Sequence, residues 1–140
     1  MNFDDFTGEA QHRLELADTG QTVRAIRATL STLGERIPAG NAEDLAASLP
    51  LEIDRFLTDA VTDHGQRFDW STFVERVAEI EGTERPDAAY HAQLLVDLVH
   101  DQVPPSDFQQ LRDQLPEDAD DENWGKLFEV VDAGGWTEHA

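Results

Sequence analysis

Two stretches decide how this chain is read: Ile37–Pro50, IPAGNAEDLAASLP, and Val103–Pro116, VPPSDFQQLRDQLP. Pro38 falls on Pro104, Leu45 on Leu111, Leu49 on Leu115 and Pro50 on Pro116, at a constant offset of 66 residues. The offset extends upstream. Val23, Ile26, Leu30, Leu33 and Ile37 form a three-and-four-spaced apolar stripe, and Ala89, Ala92, Val96, Val99 and Val103 repeat it. Such spacing is that of one helix face. Downstream the register slips, because Ile53, Phe56, Leu57 and Ala60 match Trp124, Leu127, Phe128 and Val131 only at an offset of 71. The acidic run EDADDE, residues 117–122, absorbs the difference.

The repeat predicts a duplicated helical unit, each copy stabilised by its neighbour and the two related by an approximate two-fold axis like a fused dimer. The expected fold is all-α: a compact bundle of about eight helices built from two pseudo-symmetric four-helix repeats. No segment alternates with period two, so no sheet is expected. The chain reads as one domain, 1–140, with halves at about 1–66 and 67–133 and a flexible C-terminal tail, 134–140.

Within the first half, Phe3, Phe6, Ala10 and Leu14 mark a helix, and Asp18 with Gln21 reads as a capping box opening the next. Pro38 and Gly40 end that helix. Asn41 is expected to cap a short third helix carrying Leu45 and Leu49, and Pro50 to sit in the first turn of a fourth, closed by His64-Gly65. In the second half Trp70, Phe73, Val77 and Ile80 form a stripe stopped by Gly82; Pro86 begins a long helix, and Ser106 with Gln109 forms a capping box on a short one. Ser71 likewise reads as a helix start. The second long helix carries Leu94, Leu95 and Leu98 where the first has Ala28, Thr29 and Thr32, so the second is expected to be the central, most buried one.

Composition bounds the function. The 140 residues hold 30 acids against 10 cations, for a net charge of -20, and Lys126 is the one lysine. Self-repulsion of that size weakens a small domain at low ionic strength, whereas about 1 M salt shortens the Debye length to about 3 Å and relieves it. A salt-rich cytoplasm is the expected setting. With no basic stripe to neutralise phosphates, direct nucleic-acid binding is not expected, although an acidic surface suits a basic partner or nucleic-acid mimicry. Cysteine is absent, which removes disulfides and thiolate chemistry. The N-terminus MNFDDFTGEAQ is acidic where a signal peptide is basic, and no apolar run nears the roughly 18 residues of a membrane span.

The segments VRAIRATLSTLGERI, LAASLP with its following helix, QLLVDLV and LRDQLP together resemble an uncharacterised conserved family, the domain of unknown function 2267 family. The likeness covers Met1 to Asp132, and the doubled Leu-Pro after a short helix is its most specific part. The resemblance implies a compact all-helical fold and no established activity, so it assigns no catalytic residues. The acidic run and the tail GGWTEHA, residues 134–140, depart from its core pattern.

Candidate chemistry is sparse. The histidines His12, His64, His91, His100 and His139 show no His-Glu-x-x-His or other zinc spacing, and His64 and His100 read as complements to helix C-termini. His91 beside Tyr90 is the better polar candidate, a possible general base at the edge of an apolar surface, although no nucleophile or oxyanion donor accompanies it. Residues 118–129, DADDENWGKLFE, place Asp118, Asp120, Glu122 and Glu129 at calcium-loop positions one, three, five and twelve. The match breaks at position six, where Asn123 replaces the turn glycine, so no metal or cofactor is expected. No Gly-x-Ser-x-Gly or phosphate loop occurs. Trp136, after Gly134-Gly135, either docks back or anchors a partner. The expected function is a non-enzymatic protein-interaction or regulatory module with an unidentified protein partner. The alternative is a small-molecule-binding protein or unrecognised enzyme using a cavity between the halves, with His91, Tyr90 and carboxylates as its polar points. Monomer and homodimer are equally compatible with the sequence.

Overall fold

The computed structural model describes residues 1–61, 65–117 and 122–137. Among these the chain is all helical: α1 Phe3–Leu14, α2 Thr19–Arg36, α3 Ala39–Ala46, α4 Ile53–Thr58, α5 Trp70–Glu81, α6 Arg85–Gln102, α7 Pro105–Asp113 and the single turn α8 Glu129–Asp132. A 3-10 helix, Trp124–Phe128, runs directly into α8. Both bounds of α6 lie 66 residues beyond those of α2, and both helices end on an extended residue, Ile37 and Val103, whose N–H donates to the carbonyl four residues back. α5 follows α1 at an offset of 67, each closed by a left-handed residue, Glu15 and Gly82.

α1, α2 and α5 begin where short polar side chains satisfy exposed N–H groups. Asn2 and Asp5 form a reciprocal capping box on α1. The Asp18 carboxylate accepts the Gln21 N–H at 2.8 Å, and Asp69 accepts that of Thr72 at 2.8 Å. Ser71 therefore lies inside α5, two residues past the cap. Two other expected caps are displaced. α3 and α7 are entered through Pro38 and Pro104, whose fixed φ suits the approach, so Ser106 and Asn41 lie within the first turn instead. Asn41 is buried with neither polar side-chain atom partnered. Pro50 precedes rather than opens α4, which starts after Glu52 at a positive φ of 80°. His64 lies outside the described residues.

One cluster of buried side chains runs from Phe6 and Ala10 in α1 through both long helices to Trp124, Leu127 and Phe128. α2 packs on α1, α4, α5 and α6; α6 packs on α1, α2, α5, α8 and the 3-10 helix. The expectation that α6 is the more buried of the two is wrong. Ala28, Thr29 and Thr32 are fully enclosed, because small residues let neighbouring backbones approach rather than exposing the helix. Gly34 shows why: a Cβ there would stand 2.2 Å from the Leu57 carbonyl oxygen, so only glycine admits α4. The α5 stripe is also rotated from expectation. Ile80 faces solvent, whereas Val74, Ala78 and Glu81 join Trp70, Phe73 and Val77 on the buried side.

Candidate functional site

The two loops that join α1 to α2 and α5 to α6 meet at one end of the molecule and enclose a hollow of about 510 Å³. Its lining comes in corresponding positions. Leu14 and Glu81, Glu15 and Gly82, and Leu16 and Thr83 are 67 residues apart; Gln21 and Asp87, and Arg24 and Tyr90, are 66 apart. His91 completes it from α6. The structure thus brings His91 and Tyr90 to one cavity between the first-half and second-half helices, with acids around them. Tyr90 itself is more than half exposed, on the ridge shared with the neighbouring hollow.

Within this hollow His91 does not stand alone. Its Nδ1 lies 2.6 Å from Glu81 Oε2, both side chains being nearly buried, so one proton bridges ring and carboxylate. The other carboxylate oxygen, Oε1, is buried and has no hydrogen-bond partner. Glu81 is positioned by the last turn of α5, and Gly82 at φ 77° ends that helix so that Thr83 can turn back and donate to the Ala78 carbonyl. Sequence reading missed Glu81. The signal was an acid standing in phase with Trp70, Val74 and Ala78, where apolar spacing calls for a hydrophobe.

The adjoining hollow, of about 540 Å³, has Leu94, Val130 and Trp136 as apolar points and Glu15 and Glu129 among its acids. Trp136 is docked back: it is partly buried, its N–H donates to Asp97 Oδ2 at 2.8 Å, its ring meets His12 edge-on at 5.3 Å, and Arg13 lies over it at 5.3 Å. Gly135, Trp136 and Thr137 therefore form part of the wall of this hollow, while His139 lies outside the described residues.

Asp97, His100 and Asp101 gather their ligand-type atoms within 4.8 Å of one another. Asp97 is already committed, since Arg13 donates to it at 3.2 Å and to Asp101 at 3.1 Å. The cluster is a clasp between α1, α6 and the tail. His100 lies in the last turn of α6, as expected, with its ring edge-on to Phe108 at 4.6 Å.

The acidic loop has a similar explanation. Asp118 and Asp120 lie outside the described residues, but Glu122 is spoken for. Its Oε1 accepts Arg36 Nη2 at 2.6 Å and Trp124 Nε1 at 3.3 Å, and its Oε2 pairs with Arg67 at 2.6 Å. Burial would raise the Glu122 carboxyl, yet Arg36, Trp124 and Arg67 together hold it below the ordinary glutamate value. Asn123 does take the left-handed turn, at φ 56°, that glycine would provide in a calcium loop.

Among the described residues the structure defines an all-helical fold. The chain belongs to the DUF2267 family, described as an uncharacterized conserved protein, whose model matches residues 3–121. The match stops short of the Asp132 suggested by sequence resemblance, before the 3-10 helix and α8. No curated protein matches the chain.

Proposed function

We propose that the protein is a non-enzymatic interaction module that receives a basic segment of a protein partner in the hollow between α1, α6, α8 and the tail. The observation carrying this reading is the lining of that hollow, which combines Leu94, Val130 and Trp136 with Glu15 and Glu129, its one arginine, Arg13, being already paired with Glu9, Asp97 and Asp101, on a chain of net charge -20. Apolar contacts would supply affinity, and the acidic field would attract and orient a cationic partner. A salt-rich cytoplasm is the setting in which such a surface stays both folded and soluble, so the contact has to rest on apolar burial more than on screened charge.

The test is capture from the native extract in molar potassium chloride with wild type, Val130→Asp and a distant Leu51→Glu control. Leu51 is 71% exposed, so its substitution leaves packing intact. A basic partner held by wild type and the control but lost by Val130→Asp supports the reading. Equal capture by all three, or no partner retained by folded wild type, removes it.

A further inference from the structure

We propose that the hollow around Glu81 and His91 is a binding site for a small organic cation bearing N–H donors, of the alkylammonium or guanidinium class. The site adjoins the partner surface proposed above, sharing Glu15 and Tyr90 with it, and stands on its own observations.

Glu81 is the first. Its side chain is more than nine-tenths buried and lines the hollow; one oxygen is engaged by His91 and the other has no partner. A buried carboxylate oxygen without a donor is costly, and the group that relieves it is an N–H, best a charged one. The surroundings select the sign. Glu15 and Asp87 stand at the rim with Arg24 as the opposing cation, and α1 and α5 both end there, at Glu15 and Gly82, with the negative ends of their dipoles. The N-termini of α2 and α6 also approach, but Asp18 caps the first and Asp87 occupies the first turn of the second. Exposed Tyr90 offers an aromatic face for the same cation.

The fold does not require this polar pair. At the corresponding first-half positions, 67 before Glu81 and 66 before His91, stand Leu14 and Ala25, both buried in the core. Apolar residues therefore occupy both corresponding sequence positions, and a buried Glu–His pair is the more expensive choice unless a ligand completes it. The volume, about 510 Å³, is of the size that small ligands occupy.

The experiment is a titration of the isolated folded chain, in high potassium chloride, with agmatine, putrescine and tetramethylammonium, followed by the His91 ring resonances and by melting temperature. Agmatine and putrescine should shift the His91 signals saturably and raise the melting temperature. Tetramethylammonium, a cation with no hydrogen-bond donor to offer Glu81, should do neither. Glu81→Gln should weaken the amines about tenfold or more, the loss expected for one charged hydrogen bond. Should that variant fail to fold, the exposed Asp87→Asn and Tyr90→Ala variants should each still weaken binding. Unmoved His91 signals overturn the proposal. Equal binding of tetramethylammonium does so too, as does full affinity in the variants.

Discussion

Arg36, the last residue of α2, holds Glu122 at 2.6 Å across an interior where both side chains are nearly buried. The same guanidinium donates through Nε to the Phe68 carbonyl at 3.0 Å and lies 5.5 Å from the Trp124 ring centre. One arginine thereby fastens the end of the first long helix to the segment before α5 and to the loop that precedes the 3-10 helix.

Removing one partner of this pair should be severe. Glu122→Ala strands a buried cation and is expected to destabilise the protein by about 3–5 kcal/mol, whereas replacing both members with well-packed apolar residues should cost much less. Chemical denaturation of the single and double variants in molar salt checks the difference. Near-additive losses would show that the pair is not coupled.

The same carboxylate sets an acid limit. Glu122, Asp69 and Asp132 all have folded values below their ordinary ones: Arg36 acts against burial at Glu122, the Thr72 N–H lowers Asp69, and Arg112 lowers Asp132. A depressed carboxyl contributes stability that is complete above its unfolded value, about 4, and lost as pH falls through the folded one. The stability deficit of Glu122→Gln should therefore be full at neutral pH and shrink below about pH 4, in denaturation curves at fixed ionic strength.

Two glycines in helices should respond oppositely to alanine. Gly8 has open space around its Cβ direction, so Gly8→Ala should stabilise by about 0.5–1 kcal/mol through helix propensity. Gly34→Ala gains the same propensity but drives a methyl into the Leu57 carbonyl, and the expected overpacking of about 1–3 kcal/mol outweighs it. Melting temperatures of both variants decide.

Salt should stabilise this chain strongly. Between about 0.1 and 1 M potassium chloride the Debye length falls from about 10 to about 3 Å, which removes most repulsion among exposed acids while sparing the buried Arg36 pair. The melting temperature should rise across that range, and the rise should shrink in a variant with several exposed acids replaced by their amides.

Trp136→Ala should free the tail. It removes the stack on Arg13 and the edge contact with His12, at a cost of about 1–2 kcal/mol. Hydrogen exchange should show the loss at Gly135 and Trp136, whose N–H groups donate to the Val130 carbonyl and to Asp97.

Helix placement was legible because apolar spacing and caps such as Asp18 act within a few residues, and the offset of 66 fixed which helices correspond. What sequence could not convey was which side of a small-residue helix faces a neighbour: Ala28, Thr29 and Thr32 look weakly apolar yet are fully buried. Charges in the core were missed for a related reason. Arg36, Glu81 and Asp97 each sit in phase with an apolar stripe, a local irregularity that sequence displays, but their partners Glu122, His91 and Arg13 depend on how the helices pack. His91 and Tyr90 could be singled out from sequence, whereas the carboxylate that gives His91 its role could not.

The lining of the Glu81 hollow from corresponding positions has a consequence for stoichiometry and direction. Two identical chains meeting across a two-fold axis would have to present Glu81 twice or Leu14 twice, and any guest at the axis would see the same chemistry from either side. With both positions carried on one chain, a change at Glu81 leaves Leu14 untouched. A guest of the proposed cation site would accordingly meet different chemistry at its two ends.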